Sequence, residues 1–224
     1  LTLKGARILG QCDVWLAPKA HSDGQSTALA IAEQAIGKRG AEILTHHFPM
    51  KPVFRNETPE PELMQAWEKA AKLVLDFLER GEDVAFPTLG DPAIYSTAFY
   101  VCEALGLLGA QVRVEVVPGV SAIGATAAVA KIPLCLGDEH LVVIPATFND
   151  ARLRDILQNC DSIAFMKVYR VLPKLIKLLD EFNLVDQAIL IEKTSLDDQK
   201  VWTDIRQVGD RELHYFSTMI IRKK

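Results

Sequence analysis

Several things are scarce in this chain, and each absence removes a class of explanation. Its 224 residues hold four cysteines, Cys12, Cys102, Cys135 and Cys160, and no CxxC or Cys/His ligand pair. Cysteines this far apart in apolar contexts read as small core residues in a reducing compartment, which fits the cytoplasm. No apolar run approaches the roughly 20 residues of a membrane-spanning helix. The opening LTLKGARILG is amphipathic and lacks a cleavage pattern. A start on Leu1 rather than Met leads us to expect native sequence before it. The net charge of -4 supplies no general grip on nucleic acid, although local Lys and Arg side chains could still hold an anionic small molecule. GxxxxGK[ST], GxGxxG after a strand and GxSxG are all missing, so no P-loop, dinucleotide fingerprint or hydrolase elbow is present. The pair His46-His47 is poorly spaced for chelating a metal and reads as solvated loop histidines, and no metal site is expected.

What is present is ordinary globular composition, 49% hydrophobic and 24% charged, in a chain long enough for one large domain or two small ones. Short apolar runs alternate with helical patterns. Expected strands lie around 14–16, closed by Pro18, then at 84–86, 112–117 (VRVEVV), 141–144, 162–166, 188–192 and 217–221. Expected helices cover 27–36, 61–80, 92–108, 121–130, 151–159 and 171–182. The longest is the clearest, with Leu63, Trp67, Ala70, Ala71, Val74 and Leu78 at three- and four-residue steps and Gly81 as its stop. The alternation predicts an α/β chain with mainly parallel or mixed sheets, in two domains covering 1–117 and 118–224, about four strands in each.

Two stretches carry the chemistry. In TLGDPAIYST (88–97), a buried strand leads into a glycine, a carboxylate and a proline. Gly90 permits positive φ and close approach, and Pro92 suits the first position of a helix. Asp91 then falls at the N-cap, worth about 1 kcal/mol, or beside a ligand at the strand's carboxyl end. In VVPGVSAIGATAA (116–128), Pro118-Gly119 makes a turn and Ser121 is placed to cap a small-residue helix. That stretch fits tight helix–sheet packing and equally a ligand brought close to the backbone.

These stretches resemble the tetrapyrrole methylase family, whose members transfer a methyl group from S-adenosylmethionine. The likeness spans essentially the full length. GEDVAFPTLGDPAIYST resembles the family's GDP motif and VEVVPGVSAIGATAAVAKIPL its PGVS motif, while SIAFMKVYR and AILIEKTS resemble two later strand ends of the cofactor pocket. LTLKGARIL is similar to the segment that follows the family's N-terminal loop, which would lie before Leu1 and border the substrate trough. VIPATFND and FMKVYR look most like the branch methylating carbon 20 of precorrin-2 or cobalt-factor II in cobalamin synthesis.

The resemblance implies a two-domain fold with the cofactor in the cleft between the domains, and a homodimer. The N-terminal domain would hold the substrate trough. The cofactor S-adenosyl-L-methionine, leaving as S-adenosyl-L-homocysteine, would be bound by Leu89, Gly90, Asp91, Ile94, Ser121, Ala122, Met166 and Lys193. Lys167 and Arg170, with Lys51 and Arg55 behind them, would hold the ring's carboxylates, unless the last two are plain surface charges. Asp91, Tyr95 or Tyr169 could take the proton released after transfer, as could water. Rival expectations are a family relative acting on another ring carbon, on uroporphyrinogen or on the diphthamide precursor, and a tetrapyrrole-binding protein without catalysis.

Overall fold

The computed structural model describes residues 1–54 and 56–223; Arg55, a candidate carboxylate binder, lies outside the described residues. The chain forms two compact units, Leu1–Val120 and Ser121–Lys224.

Unit 1 opens with helix α1 (Leu3–Leu9), whose first turn is capped by the Thr2 hydroxyl accepting from the Gly5 N–H. Strand β1 (Val14–Lys19) is the centre of a parallel sheet, flanked by β2 (Glu42–His47) and the two-residue β3 (Val84–Ala85). Pro18 does not close β1 as expected, because it pairs with His46 inside the ladder. The carbonyls of Asp13 and Lys19 accept from Glu42 and Phe48, so the odd-numbered residues of β1 bond to β2. The nitrogen of Pro18 therefore faces the other side, where β3 has already ended, and its missing donor breaks no bond.

Helix α2 (Thr27–Ile36) is capped by Ser26 and ends at Gly37, where φ is 69°. Helix α3 (Pro61–Leu78) starts on proline and buries Leu63, Ala66, Trp67, Ala70, Ala71 and Phe77. It packs on α4 (Ala98–Leu107), with the Trp67 and Tyr100 rings stacked at 4.4 Å.

Two expectations in this unit need correction. VRVEVV is no strand: Val114 and Val116 are exposed, and residues 110–121 join no ladder. Its alternating valines have the propensity, but β3 stops at Ala85 and offers them no neighbour. The stretch is tethered instead by a Lys4–Glu115 ion pair at 2.8 Å. Nor do His46 and His47 lie in a loop, since both belong to β2. His46 is half-buried, and its Nε2 sits 2.9 Å from the Ala66 carbonyl.

Unit 2 starts with helix α5 (Ala122–Ala130). Strand β4 (Leu141–Pro145), helix α6 (Asp150–Asn159), strand β5 (Ser162–Met166), helix α7 (Leu172–Glu181) and strand β6 (Ala188–Glu192) follow, then β7 (Lys200–Trp202) and β8 (Ser217–Arg222). The sheet order is β4-β5-β8-β6-β7. Only the β4–β5 pairing is parallel, so this sheet is mixed, and it has one more strand than expected. On one face Phe165, Leu190 and Met219 pack against Leu153, Leu157, Leu175 and Leu179 of α6 and α7. The alternate set, Ala164, Ile191 and Ile220, is equally buried, and α5 packs against β8. Cys135 is exposed rather than a core residue, since it sits in the irregular stretch between α5 and β4. Among the described residues no helix is long and apolar enough to cross a membrane.

The His46 environment gives a pH dependence with a definite sign. Burial holds the imidazole below its ordinary value of 6.5, against the opposing pull of the Ala66 carbonyl. The unfolded chain therefore takes up the proton first, and the stability from a neutral His46 is complete above 6.5 and lost as pH falls below it. The thermal midpoint should drop between about pH 7.5 and about pH 5.5, and His46→Gln should remove part of that drop. An unchanged pH profile in the variant would show that His46 does not contribute.

Candidate functional site

In unit 1 the candidate residues gather on the turn after β3. Gly90 has φ 79°, the left-handed region that glycine enters without strain. The chain does not run directly into a helix at Pro92. Residues 92–95 form a turn, Tyr95 is itself left-handed at φ 54°, and α4 begins only at Ala98. The side chain that satisfies the Ala98 N–H is Ser96, at 3.1 Å. Asp91 is accordingly not the N-cap of α4.

Its carboxylate does something else. Oδ1 accepts from the Ala93 N–H at 2.8 Å, closing the turn locally, and Oδ2 accepts from the Gly119 N–H at 2.9 Å, 28 residues away. Hydrogen bonds to a charged acceptor contribute about 1.5–3 kcal/mol each. The two turns also touch directly, for a Cβ added to Gly119 would meet the Gly90 carbonyl oxygen at 2.1 Å. No side chain fits in that gap. The GDP turn and the PG turn are thus one rigid feature of unit 1. Leu89 is exposed beside it and Ile94 is half-buried, its N–H donating to the Asp91 carbonyl at 3.2 Å. Tyr95 is 54% exposed.

In unit 2 the candidates lie at the carboxyl ends of β5 and β6 and at the start of α5. The Ser121 hydroxyl accepts from the Gly124 N–H at 3.2 Å, so Ser121 caps α5 as its position suggested, with Ala122 in the first turn. Met166 ends β5, and Lys167 follows in a left-handed conformation at φ 60°. Burial pushes the Lys167 ammonium below its ordinary value. A short turn, Val168–Arg170, then presents Tyr169, whose ring meets Tyr215 edge-on at 5.4 Å and carries the Arg170 guanidinium 5.1 Å above it.

Lys193, after β6, has φ 50° and donates its N–H to the Phe216 carbonyl at 2.7 Å, while its ammonium pairs with Asp198. Non-glycine residues held at positive φ store about 1–3 kcal/mol each and collect at ligand sites. Four of them, Tyr95, Lys167, Lys193 and Ser195, fall at or beside candidate positions.

The remaining candidate, Lys51 of unit 1, is engaged by Glu60 and Glu62, both at 2.6 Å. Those two carboxylates hold its ammonium well above the ordinary range and engage two of its three N–H donors.

Two residues escaped sequence reasoning. Because β8 runs antiparallel to its neighbours, its first residues Ser217 and Thr218 sit at the carboxyl ends of β5 and β6. Thr218 pairs with Met166 on one side and Ile191 on the other, and Ser217 with Glu192. The Ser217 hydroxyl is buried, and among the described residues it has no hydrogen-bond partner. Only the direction of the last strand would have revealed this, and a run such as STMII does not disclose its direction.

The family described as tetrapyrrole (corrin/porphyrin) methylases matches residues 1–209. The chain belongs to this family. A cobalt-precorrin-2 C(20)-methyltransferase from Salmonella typhimurium is 33% identical over 225 residues, covering 100% of this chain and 91% of that protein. A precorrin-2 C(20)-methyltransferase from Sinorhizobium is 28% identical over 222 residues, 99% of this chain and 89% of that one. Among solved structures, a cobalt precorrin-4 methyltransferase superposes with a TM-score of 0.66 at 22% identity, covering 100% of this chain and 88% of that one. A uroporphyrin-III C-methyltransferase from Thermus thermophilus, complexed with S-adenosylhomocysteine, gives 0.65 at 17% identity, with 99% and 90% covered. These structures share the tetrapyrrole methylase fold with this chain.

The Gly90–Gly119 contact makes two glycine substitutions diverge. Gly119→Ala drives a methyl group into a backbone oxygen and should cost about 1–3 kcal/mol in urea unfolding. Gly106→Ala, on α4 with no atom near the new methyl, should stabilise by roughly 0.5–1 kcal/mol. Equal effects at both positions would contradict the wedge.

Proposed function

We propose that this chain transfers a methyl group from S-adenosylmethionine to carbon 20 of precorrin-2 or its cobalt-bearing counterpart, cobalt-factor II, in cobalamin biosynthesis. The observation that carries the proposal is the Salmonella relative of that name, which shares a third of its residues along the whole chain. The Sinorhizobium relative, named for the metal-free ring, supports the same carbon and leaves the metal to experiment.

The residues present suit such a donor. S-adenosylmethionine brings its methyl already activated on a positively charged sulfur, so no strong acid or base is demanded of the protein. The protein's task is to hold donor and ring carbon in line and keep water away. In unit 1 the backbone around Leu89, Gly90, Asp91 and Ile94 is rigid because Asp91 and Gly119 fix it. In unit 2 Ser121, Ala122, Met166 and Lys193 present backbone at a helix start and two strand ends.

Within this reading Asp91 is a positioning residue, since both its oxygens already hold backbone N–H groups. The proton released after transfer then passes to water, directly or relayed through the Tyr95 or Tyr169 hydroxyl. Lys167 suits a ring carboxylate, because a bound anion would offset the desolvation that disfavours its charge. Arg170 can clamp another through its planar fork. Lys51 is the weakest of these, engaged as it is by Glu60 and Glu62. A homodimer working in the cytoplasm belongs to the same proposal and is supported by the resemblance to the family.

The test is incubation of the purified protein with methyl-labelled S-adenosylmethionine and, in parallel, precorrin-2, cobalt-factor II and uroporphyrinogen III. S-adenosylhomocysteine should appear with one or both of the first two, with the label on carbon 20 in the carbon NMR spectrum. Label on another carbon, or turnover with uroporphyrinogen only, would replace the substrate assignment. Binding of the ring without release of S-adenosylhomocysteine would make the chain a carrier.

A further inference from the structure

Helix α5 and the turn after β6 are joined by a pair of hydroxyls. Thr126 is 0% exposed, and its Oγ1 lies 3.1 Å from Oγ1 of Thr194, 68 residues on. Thr126 stands one helical turn beyond Ala122, on the helix capped by Ser121. Thr194 stands between Lys193 at φ 50° and Ser195 at φ 66°, two left-handed non-glycine residues in a three-residue turn. Such a turn holds its shape when its surroundings over-determine it. The Lys193 N–H is fixed by the Phe216 carbonyl, and the Ser195 N–H by the Gln199 side-chain oxygen at 2.7 Å. Thr194 supplies the side-chain tie between this turn and α5.

We propose that Thr126 and Thr194 are a positioning pair that sets the distance between the start of α5 and the backbone at Lys193, and so tunes affinity for the methyl donor without touching it. This rests on the methyltransferase reading above. Thr126 is buried and unavailable to a ligand, so it acts through Ser121–Ala122 on one side and Lys193 on the other. A hydroxyl pair suits the task because it is directional, whereas an apolar contact at the same place would let the helix slide.

The test uses the full chain and S-adenosylhomocysteine as the probe in titration calorimetry, with steady-state kinetics alongside. Thr126→Val keeps the shape and removes the hydroxyl. It should weaken S-adenosylhomocysteine binding roughly three- to tenfold, the range expected for one lost hydrogen bond. The KM for S-adenosylmethionine should rise by a similar factor while kcat stays within about twofold, since the geometry of the bound state is recoverable at saturation. Thr126→Ser should restore wild-type affinity. Thr194→Val, at the less buried partner, should match Thr126→Val, and the double variant should be no weaker than either single.

A folded Thr126→Val or Thr194→Val chain with unchanged affinity overturns the pair, as does a Ser variant as weak as the Val variant. If Thr126→Val does not fold, Thr194→Val decides by the same criterion. Absence of any S-adenosylhomocysteine binding by the unsubstituted chain would instead bring down the methyltransferase reading, and the pair with it.

Discussion

The feature on which unit 1 depends is a contact between two backbones with nothing between them. Gly90 and Gly119 approach until a methyl group on the latter would overlap a carbonyl oxygen, and the Asp91 carboxylate closes the gap by accepting from the Gly119 N–H. Dispersion alone would not select this arrangement, because glycines offer little surface. A charge-assisted hydrogen bond in a narrow space gives it direction. Residues 110–121 form no strand, and this bond, the Lys4–Glu115 pair, a weak Thr2 hydroxyl bond to the Pro118 carbonyl and packing of Val112 on the unit 1 core hold their course.

Unit 2 places its candidate residues by different means. A capped helix start, two left-handed strand ends and an antiparallel strand inserted between β5 and β6 bring Ser121, Met166, Lys193 and Thr218 onto elements that pack together. Here the backbone is bent out of its usual regions at Lys167, Lys193 and Ser195, and hydrogen bonds to Phe216 and Gln199 hold the bends at Lys193 and Ser195 in place. Backbone presented this way can recognise a polar small molecule without spending many side chains on it.

Much of this was legible in the sequence, for identifiable reasons. Helix α3 announced itself through three- and four-residue steps, and the strands SIAFM and AILIE through continuous apolar runs between breakers. The turn at Gly90 showed as a glycine following an apolar run, and that at Gly119 as a Pro-Gly pair, although the strand expected before Gly119 does not form. What was not legible depended on partners. VRVEVV alternates like a strand yet has no neighbour to pair with. EILTHH pairs with β1 although four of its six residues are polar, because an edge strand tolerates them. Asp91 looked like a helix cap, and nothing local pointed to a second donor 28 residues away. Tyr95 is left-handed and α4 begins only at Ala98, which nothing in the residue type of position 95 announced.

The position of β8 has a consequence for synthesis. Residues 217–222 fill the slot between β5 and β6, so a nascent chain emerging from the ribosome cannot complete that sheet until these residues have themselves been translated. Until then β5 and β6 each expose an unpaired edge, and unit 2 waits for its final strand while unit 1, whose three strands all precede residue 86, can already have formed.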